Sequence, residues 1–338
     1  MSRFDWIDGT ELGAEGFLAL AERALALRAG SGPRRFPGKR IVAVFLNSSL
    51  RTRVSLEAAA NDLGVHVVTL NPGADAWKLE WRAGARMDGE YAEHFADAIP
   101  ALGEYADLLA LRAFAGLKDP AEDRADPVLS AFRHWSPRPV LNLESALWHP
   151  LQALADAATW RHHLGPDLRG RKVALTWAPH PRALPAAVPN QIVLSAGLAG
   201  LDLTVAHPPG FDLDPEITAR AAGLAAAAGG SLRFTDDPDQ AMDGAEVVHA
   251  KSWSGFSGYG RREEEAAVRA TLGHWTLDQT RFSRARPTAG FMHCLPVRRN
   301  VVVTDAVIDS ARSWTTETAG NRRWTAMALL EEMFSRMS

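Results

Sequence analysis

Ser49-Leu50-Arg51-Thr52-Arg53 lies between an apolar run over residues 41–46 and a stretch over residues 52–63 that has the pattern of a helix. A strand that ends at small polar residues and continues as a helix presents backbone N–H groups and a positive dipole end to an anion. Arginine side chains bind phosphate oxygens in pairs, and Arg51 and Arg53 flank this turn. The segment therefore predicts a phosphate site, and the alternative is a capped helix with two solvated arginines.

The rest of the chain repeats this alternation of strands and helices. A first helix is predicted from Thr10, which can cap it, to Gly30. Further short apolar runs predict strands at residues 65–70, 106–111, 139–143, 173–177, 201–206, 232–235, 245–250 and 290–293. Helical stretches are predicted at residues 90–102, 128–135, 151–162, 221–228 and 321–337. Strands alternating with helices indicate an α/β fold built from open parallel sheets.

Polar side chains follow several of the predicted strands directly. They are Ser49, Arg112, Glu144, His180, Lys251 and Cys294. In open α/β sheets, ligands bind beyond the carboxyl ends of the strands. The sequence therefore predicts a ligand cleft at which the ends of two sheets meet.

Composition narrows the class of protein. The chain has 338 residues, of which 46% are hydrophobic, enough to fill two cores. A net charge of -3 gives no general attraction to nucleic acid or to acidic membranes, and a single cysteine excludes an internal disulfide. No apolar run reaches the roughly 20 residues that span a bilayer, and the N-terminus lacks the pattern of a signal peptide. We therefore expect a cytoplasmic protein.

Several separated blocks together resemble the aspartate/ornithine carbamoyltransferase family. The Ser-x-Arg-Thr-Arg signature is followed, in the family's order, by Leu111-Arg112, His149-Pro150-Leu151-Gln152, His293-Cys294-Leu295-Pro296 and Asn321-Arg322. The resemblance implies two doubly wound parallel-sheet domains with the active site in the cleft between them. Residues 1–150, completed by a C-terminal helix at 321–338, would bind carbamoyl phosphate, and residues 151–320 would bind an N-acylated ornithine.

The resemblance also implies a chemistry without metal or cofactor. Attack of an amine on carbamoyl phosphate places negative charge on the carbonyl oxygen, and positioned cations and donors stabilise it. The implied catalytic residues are Thr52, Arg112, His149 and Arg322. The implied carbamoyl phosphate ligands are Ser49, Leu50, Arg51, Thr52, Trp77, Arg112, His149, Gln152, Cys294, Leu295 and Arg322. Cys294 would contribute its backbone carbonyl, because nothing nearby supplies the base and oxyanion hole of a cysteine nucleophile.

The amino substrate is indicated by two further blocks. Ala250-Lys251-Ser252-Trp253 stands where ornithine enzymes of the family have a Ser-Met-Gly loop, and Trp177-Ala178-Pro179-His180-Pro181 precedes it. Both resemble the family's enzymes for N-acylated ornithine. By that resemblance Lys251 and Arg298 would bind the α-carboxylate, which suits their charge. Glu144 would accept from the amide N–H or orient the δ-amine, with help from His180.

One residue bears on the acyl group. In the acetyl branch a glutamate normally stands at the position of Ala92 and a lysine at that of Val302. A glutamate there would repel the distal carboxylate of a succinyl group, so Ala92 favours N-succinylornithine, with N-acetylornithine as the alternative. A second alternative is that Ala92 is a neutral substitution and Glu93 takes the glutamate's part.

The resemblance also implies an assembly and a pathway. Trp77 would donate its indole N–H to phosphate in the neighbouring subunit's site, which makes the protein a homotrimer. The reaction would belong to arginine biosynthesis. Two other classes stay open from the sequence: a non-catalytic regulator that binds carbamoyl phosphate, and a nucleotide-binding enzyme, which the lack of Gly-x-Gly-x-x-Gly after any early strand disfavours.

Overall fold

Two parallel sheets organise the computed structural model, which describes residues 3–337. The strands in this part of the chain are β1 Arg40–Phe45, β2 His66–Leu70, β3 Leu79–Glu80, β4 Glu93–His94, β5 Leu108–Arg112, β6 Val140–Glu144, β7 Lys172–Trp177, β8 Asp202–Ala206, β9 Ser231–Thr235, β10 Val247–Lys251 and β11 Gly290–Met292. The first sheet has the order β2-β1-β5-β6, and the second has the order β11-β10-β7-β8-β9. The predicted α/β fold with two doubly wound parallel sheets is confirmed.

Helices cover the sheets. They are α1 Gly13–Arg28, α2 Arg51–Asp62, α3 Phe95–Tyr105, α4 Pro120–Arg124, α5 Pro127–Trp135, α6 Pro150–Leu164, α7 Ala187–Ala199, α8 Pro215–Ala228, α9 Pro238–Met242, α10 Arg262–Thr271, α11 Gln279–Phe282, α12 Asp305–Ile308 and α13 Thr315–Ser335. No helix among the described residues is both long and apolar enough to cross a membrane.

The central strands β1 and β5 of the first sheet are buried, as their apolar sequences require in a sheet covered on both faces. Residues 65–70 read as a strand of the same kind, but β2 lies at the edge of its sheet, and His66 and Val68 are exposed. The short strands β3 and β4 form a separate parallel pair outside both sheets.

Both sheets contain a point at which the strand order reverses. In the first sheet the chain moves from β1 to β2 on one side and later to β5 on the other. In the second sheet β7 is followed by β8 on one side and later by β10 on the other. Ligands of doubly wound sheets bind at such reversals, so the fold marks the ends of β1 and β5 and of β7 and β10.

The last helix returns to the beginning of the chain. Residues 312–314 run beside β11, where the Trp314 N–H donates to the Phe291 carbonyl at 2.9 Å, and α13 then packs against α1, α2 and α6. This helix begins at Thr315, whereas the sequence predicted a start at Asn321. The prediction was six residues late because it placed the helix start at the Asn-Arg motif, which lies within the helix.

Other predicted helix starts were also wrong, and the helix predicted at residues 221–228 begins at Pro215. Thr10 does not cap α1, because its hydroxyl donates to Asp8 Oδ1 at 2.6 Å and the helix begins at Gly13. The helix predicted from residue 90 begins at Phe95, because residues 93–94 pair with β3 as strand β4. His94 caps this helix by accepting from the Ala96 N–H at 3.0 Å.

Candidate active site

A cavity of about 680 Å³ lies at the carboxyl ends of strands from both sheets. Residues after β1, β5, β6, β7, β10 and β11 line it, together with one residue of α13. The predicted site residues that line it are Ser49, Leu50, Arg51, Thr52, Arg112, Glu144, His149, His180, Lys251, Cys294, Leu295 and Arg322. The carboxyl ends of the parallel strands therefore bring together side chains from distant parts of the sequence.

The start of α2 forms one wall of this cavity. Its N-cap residue is Leu50, no side chain caps it, and its first turn carries no acidic residue. The backbone N–H groups of the first turn of a helix lack intrahelical acceptors, so they are available to an anion. Arg51 points into the cavity and makes no hydrogen bond or ion pair to another described side chain, whereas Arg53 pairs with Glu57 on the surface at 3.2 Å. Of the two arginines, the structure places only Arg51 in the cavity.

Buried hydrogen bonds join α2 to the last helix. Arg322 donates to Thr52 Oγ1 at 2.8 Å and to Gln152 Oε1 at 2.9 Å. Gln152 in turn donates to Asp156 Oδ1 at 2.9 Å. Burial lowers the pKa of Arg322 to about 10, and burial raises the pKa of Asp156 to about 7. Gln152 thus lies one layer behind the cavity wall, with its amide oxygen held by Arg322.

A buried carboxylate lies at the centre of the cationic side chains. Glu144 Oε2 is 2.5 Å from Arg112 Nη1 and 3.2 Å from His149 Nε2. Burial raises the pKa of this carboxyl, and the charge of Arg112 opposes the shift. Burial, followed by the charges of Arg322 and Arg112, holds the pKa of His149 well below its usual range, so the imidazole is neutral at pH 7.

Some polar atoms in this cluster lack partners. Arg112 Nε, Arg322 Nε and His149 Nδ1 are buried and have no hydrogen-bond acceptor or donor among the described residues. Buried polar atoms are normally paired, and unpaired ones require a physical explanation. These atoms can bind the oxygen and nitrogen atoms of a small polar ligand.

Residues after β11 close another side of the cavity. Leu295 has a φ of 53°, and its N–H donates to His293 Nδ1 at 2.8 Å. The chain therefore turns sharply at the edge of the cavity, where Cys294, Leu295 and Pro296 all lie. Burial raises the pKa of the Cys294 thiol, which keeps it protonated and agrees with a binding role over a nucleophilic one.

The opposite wall is built by the second sheet. Lys251 ends β10, and His180 follows β7 at the rim. Burial lowers the pKa of His180, and the charges of Lys251 and Arg298 act in the same direction. Leu184, Pro185 and Val188 supply an apolar surface beside them. This wall can hold an anionic group next to an apolar chain.

Some predicted site residues do not line the cavity of this single chain. Arg298 is exposed at the surface, although its charge reaches His180. Trp77 is 61% exposed and donates its indole N–H to Glu93 Oε2 at 2.6 Å. Ala92 is also exposed, and its N–H donates to the Lys78 carbonyl at 3.1 Å in the same β3–β4 segment.

Other cavity residues were missed by the sequence reasoning. Phe114 packs 4.5 Å from the Arg112 guanidinium, and its N–H donates to Asn47 Oδ1 at 2.7 Å. Ser48 lies beside Ser49, and Val188 comes from α7. The strand-end rule extended by two residues past β5 would have found Phe114, but nothing in the sequence distinguishes Val188 from a core valine.

One group of possible metal ligands occurs among residues 3–337, and it is not in the cavity. His162, His163 and Glu317 place their ligand atoms within 4.8 Å of one another. Arg28 donates to Glu317 Oε1 at 2.6 Å, so its guanidinium already binds one oxygen of this carboxylate.

Comparisons with known proteins agree with this geometry. The family model described as aspartate/ornithine carbamoyltransferase, carbamoyl-P binding domain, matches residues 5–162. The model described as aspartate/ornithine carbamoyltransferase, Asp/Orn binding domain, matches residues 186–333. The first model covers all four strands of the first sheet, and the second model covers β8 to β11 of the second sheet.

Individual relatives point to acylated ornithine. The chain is 41% identical over 314 residues to N-acetylornithine carbamoyltransferase of Xanthomonas campestris, covering 92% of each. It is 37% identical over 295 residues to N-succinylornithine carbamoyltransferase of Bacteroides thetaiotaomicron, covering 87% of each.

Solved structures give the same result. Acetylornithine transcarbamylase complexed with acetylcitrulline superposes with a TM-score of 0.94 at 39% identity, over 98% of this chain and 99% of that one. A variant of N-acetyl-L-ornithine transcarbamylase with one glutamate replaced by alanine, complexed with carbamyl phosphate and N-succinyl-L-norvaline, gives the same values.

Proposed function

We propose, from the premise that this chain belongs to the aspartate/ornithine carbamoyltransferase family and to its N-acylornithine branch, that its acceptor substrate is N-succinyl-L-ornithine. The chain is a carbamoyltransferase. In the proposed reaction the δ-amine attacks the carbonyl carbon of carbamoyl phosphate. A C–N bond forms, the C–O bond to phosphate breaks, and the leaving phosphate takes the proton. The product is N-succinyl-L-citrulline, an intermediate suited to arginine biosynthesis.

The phosphate group would be held at the start of α2. The uncapped N–H groups there and the unpaired Arg51 guanidinium supply donors and charge. We assign the phosphate to Ser49, the Leu50 N–H, Arg51 and Thr52, with Trp77 added by a neighbouring subunit. A homotrimer is part of this proposal, because Trp77 does not reach the cavity of its own chain.

The carbonyl oxygen would lie among the buried donors of the cluster. Arg112, Arg322 and His149 each have a buried nitrogen without a partner. Such preorganised donors are worth about 2.7–4 kcal/mol each when they stabilise developing negative charge. The carbamoyl NH₂ would donate to the backbone carbonyls of Cys294 and Leu295, with Gln152 behind them.

Glu144 would change partners during binding. In this structure its carboxylate pairs with Arg112 at 2.5 Å. When the phosphate group binds Arg112 in place of Glu144, a Glu144 oxygen can accept a hydrogen bond from the amide N–H or the δ-amine of the acceptor. Lys251 and Arg298 would then bind the α-carboxylate, and His180 would support it at the rim.

The observation that carries the succinyl assignment is Ala92. It places a small neutral side chain in the exposed β3–β4 segment, at the position where the acetyl branch normally has a glutamate. Variants of N-acetyl-L-ornithine transcarbamylase that replace one glutamate by alanine or serine are known in complex with N-succinyl-L-norvaline. Loss of a glutamate is thus compatible with a succinyl ligand in a related enzyme.

N-acetyl-L-ornithine is the second candidate. It is favoured by the higher identity to the acetyl enzymes, 38–41% against 36–37% for the succinyl enzymes. The deciding experiment measures kcat/KM for carbamoyl transfer to N-succinylornithine, N-acetylornithine and ornithine under the same conditions. Preference for the succinyl substrate is expected, and preference for the acetyl substrate would overturn the assignment. If calorimetry showed binding of carbamoyl phosphate but none of the three acceptors was carbamoylated, the proposed reaction itself would be contradicted.

A further inference from the structure

Lys251, the last residue of β10, and the turn that follows it carry a polar group of the cavity on an otherwise buried path. This 251–254 loop consists of Lys251, Ser252, Trp253 and Ser254. Trp253 is fully buried, and its indole N–H donates to the Phe211 carbonyl at 2.7 Å. The Trp177 indole N–H donates to the Trp253 carbonyl at 3.0 Å. Lys251 is therefore held at the end of a rigidly packed turn.

A buried arginine of α10 reaches this loop from behind. Arg269 donates to Ser252 Oγ at 2.9 Å and to the Trp253 carbonyl at 2.7 Å. Its Nε donates to Glu265 Oε1 at 2.8 Å. Arg269 and Glu265 are each 4% exposed at the side chain, so the pair is removed from water. None of these contacts is with a residue that we assign to the substrates.

The same loop is joined to the other rim of the acceptor side. The Ser254 N–H donates to the Leu184 carbonyl at 2.9 Å. Leu184 and Pro185 line the cavity, in the stretch that begins at His180. A shift of the 251–254 loop would therefore move both the polar and the apolar part of the acceptor wall.

The phosphate side has no such connection to Arg269. The side-chain bonds of Thr52, Arg112 and Arg322 join α2, the first sheet, α6 and α13. Displacement of the 251–254 loop leaves these bonds in place. An effect of Arg269 on the acceptor can thus be separated from an effect on carbamoyl phosphate.

We propose that Arg269, held by Glu265, is a positioning residue that fixes the 251–254 loop and thereby the site for the N-acylornithine. The proposal rests on the proposed function, since it assigns Lys251 and its surroundings to the acceptor. A planar guanidinium spreads five fixed donors and can bind two loop groups and a carboxylate at once, whereas the three donors of lysine lie at a single nitrogen atom. The role is indirect, because Arg269 does not line the cavity.

The first test is Arg269→Met in α10. The matched control is Arg261→Met, at the residue that precedes this helix. Arg261 is 65% exposed and makes only a 3.9 Å ion pair with Glu264. For Arg269→Met we expect KM for the acylornithine to rise about tenfold or more, because small displacements of binding groups are costly. The calorimetric Kd for carbamoyl phosphate should stay within about a factor of three. Arg261→Met should match the wild type in both.

A second variant separates positioning from stability. Arg269→Met leaves Glu265 as an unpaired buried charge, which destabilises the fold. The double variant Arg269→Met/Glu265→Gln removes that charge and should recover Tm. Its KM for the acylornithine should stay raised, because the bonds to the loop are still missing. A double variant with wild-type KM would overturn the proposal and leave Arg269 with a purely structural role.

The conservative variant adds a third measurement. Arg269→Lys keeps the charge beside Glu265 but loses the forked bonds to the loop, so KM should lie between those of the wild type and Arg269→Met. All assays use the acylornithine that the wild type prefers. A wild type inactive on every acylornithine would overturn the proposed function, whereas an active wild type with unchanged KM in all Arg269 variants would overturn this inference alone.

Discussion

The two sides of the cavity differ in how their charged groups are paired. On the phosphate side, Arg112 and Arg322 are buried and bound to neighbouring side chains. On the acceptor side, Lys251 in the cavity wall and Arg298 outside it have no ion-pair partner among residues 3–337. Preorganised groups suit charge that develops during the reaction, whereas free cations suit a charged substrate that arrives from water. Under the proposed function, this difference assigns the chemistry to one side of the cavity and the choice of substrate to the other.

The largest effect is expected for Arg51, the one arginine of the phosphate side that is not bonded to a neighbouring side chain among the described residues. Arg51 lies on the phosphate side but has no partner side chain among residues 3–337, and the proposed function assigns it to the phosphate group. Arg51→Ala should weaken carbamoyl phosphate binding by about 2–5 kcal/mol, measured by calorimetry. Because Arg51 bonds to no other described side chain, Tm should change little.

Arg53→Ala is the control for Arg51→Ala. It removes an arginine from the same helix that pairs only with Glu57 on the surface. Such exposed pairs contribute about 0–1 kcal/mol to stability, so binding and Tm should stay near the wild-type values. Equal losses of affinity in the two variants would mean that the effect is general attraction and not a phosphate site.

The next effect concerns the choice of acyl group. In the proposed trimer Ala92 lies in the same exposed segment as Trp77, so Ala92→Glu would place a carboxylate near the succinyl carboxylate bound by the neighbouring subunit. Two like charges 4 Å apart repel by about 4 kcal/mol at an effective dielectric of about 20. The kcat/KM ratio of N-succinylornithine to N-acetylornithine should therefore fall by orders of magnitude. The ratio cancels any general loss of stability. An unchanged ratio in an enzyme that prefers the succinyl substrate would keep the substrate and reject Ala92 as its cause.

A smaller effect tests where Trp77 acts. Mixing inactive Arg112→Ala protein with inactive Trp77→Ala protein should restore activity, because about a quarter of the sites in random hybrid trimers would combine both intact residues. The measurement is turnover after subunit exchange, with hybrid formation checked by mass. Hybrids that form without activity would place Trp77 outside the neighbouring site.

The last prediction concerns how the stability of the buried phosphate side responds to pH. Burial raises the pKa of Asp156 to about 7, so the folded protein binds this proton more tightly than the unfolded chain does. This contribution to stability is fully present below the unfolded pKa near 3.8 and is lost as the pH rises to about 7.

The free energy of unfolding should accordingly decrease by up to about 1.4 kcal/mol per pH unit over that range from this group alone. Asp156→Asn keeps an oxygen for Gln152 and should remove the slope. Urea unfolding of both proteins between pH 4 and 7.5 measures it. Parallel stability curves would show that Asp156 does not titrate in this range.

Sequence reasoning was strong where the chain itself limits the choices. Central strands such as β1 and β5 are continuous apolar runs, and the polar residues that end them had to meet at one edge of a parallel sheet. It was weaker at helix starts. Thr10, for example, donates its hydroxyl to Asp8 and does not cap α1. It also missed Phe114, whose place depends on packing against Arg112. The pairing of Glu144 with Arg112 has no local signal, because it joins residues from two strands.

The return of α13 to the first sheet has a consequence for synthesis on the ribosome. Arg322 and the face of α13 that covers α1 and α2 leave the ribosome long after the first sheet has been made. At about 5–20 residues per second, the delay is on the order of ten seconds or more. During that time the apolar side of α2 is uncovered and Thr52 lacks the arginine that binds it. The nascent first half is therefore exposed to chaperones and inactive until the last helix docks.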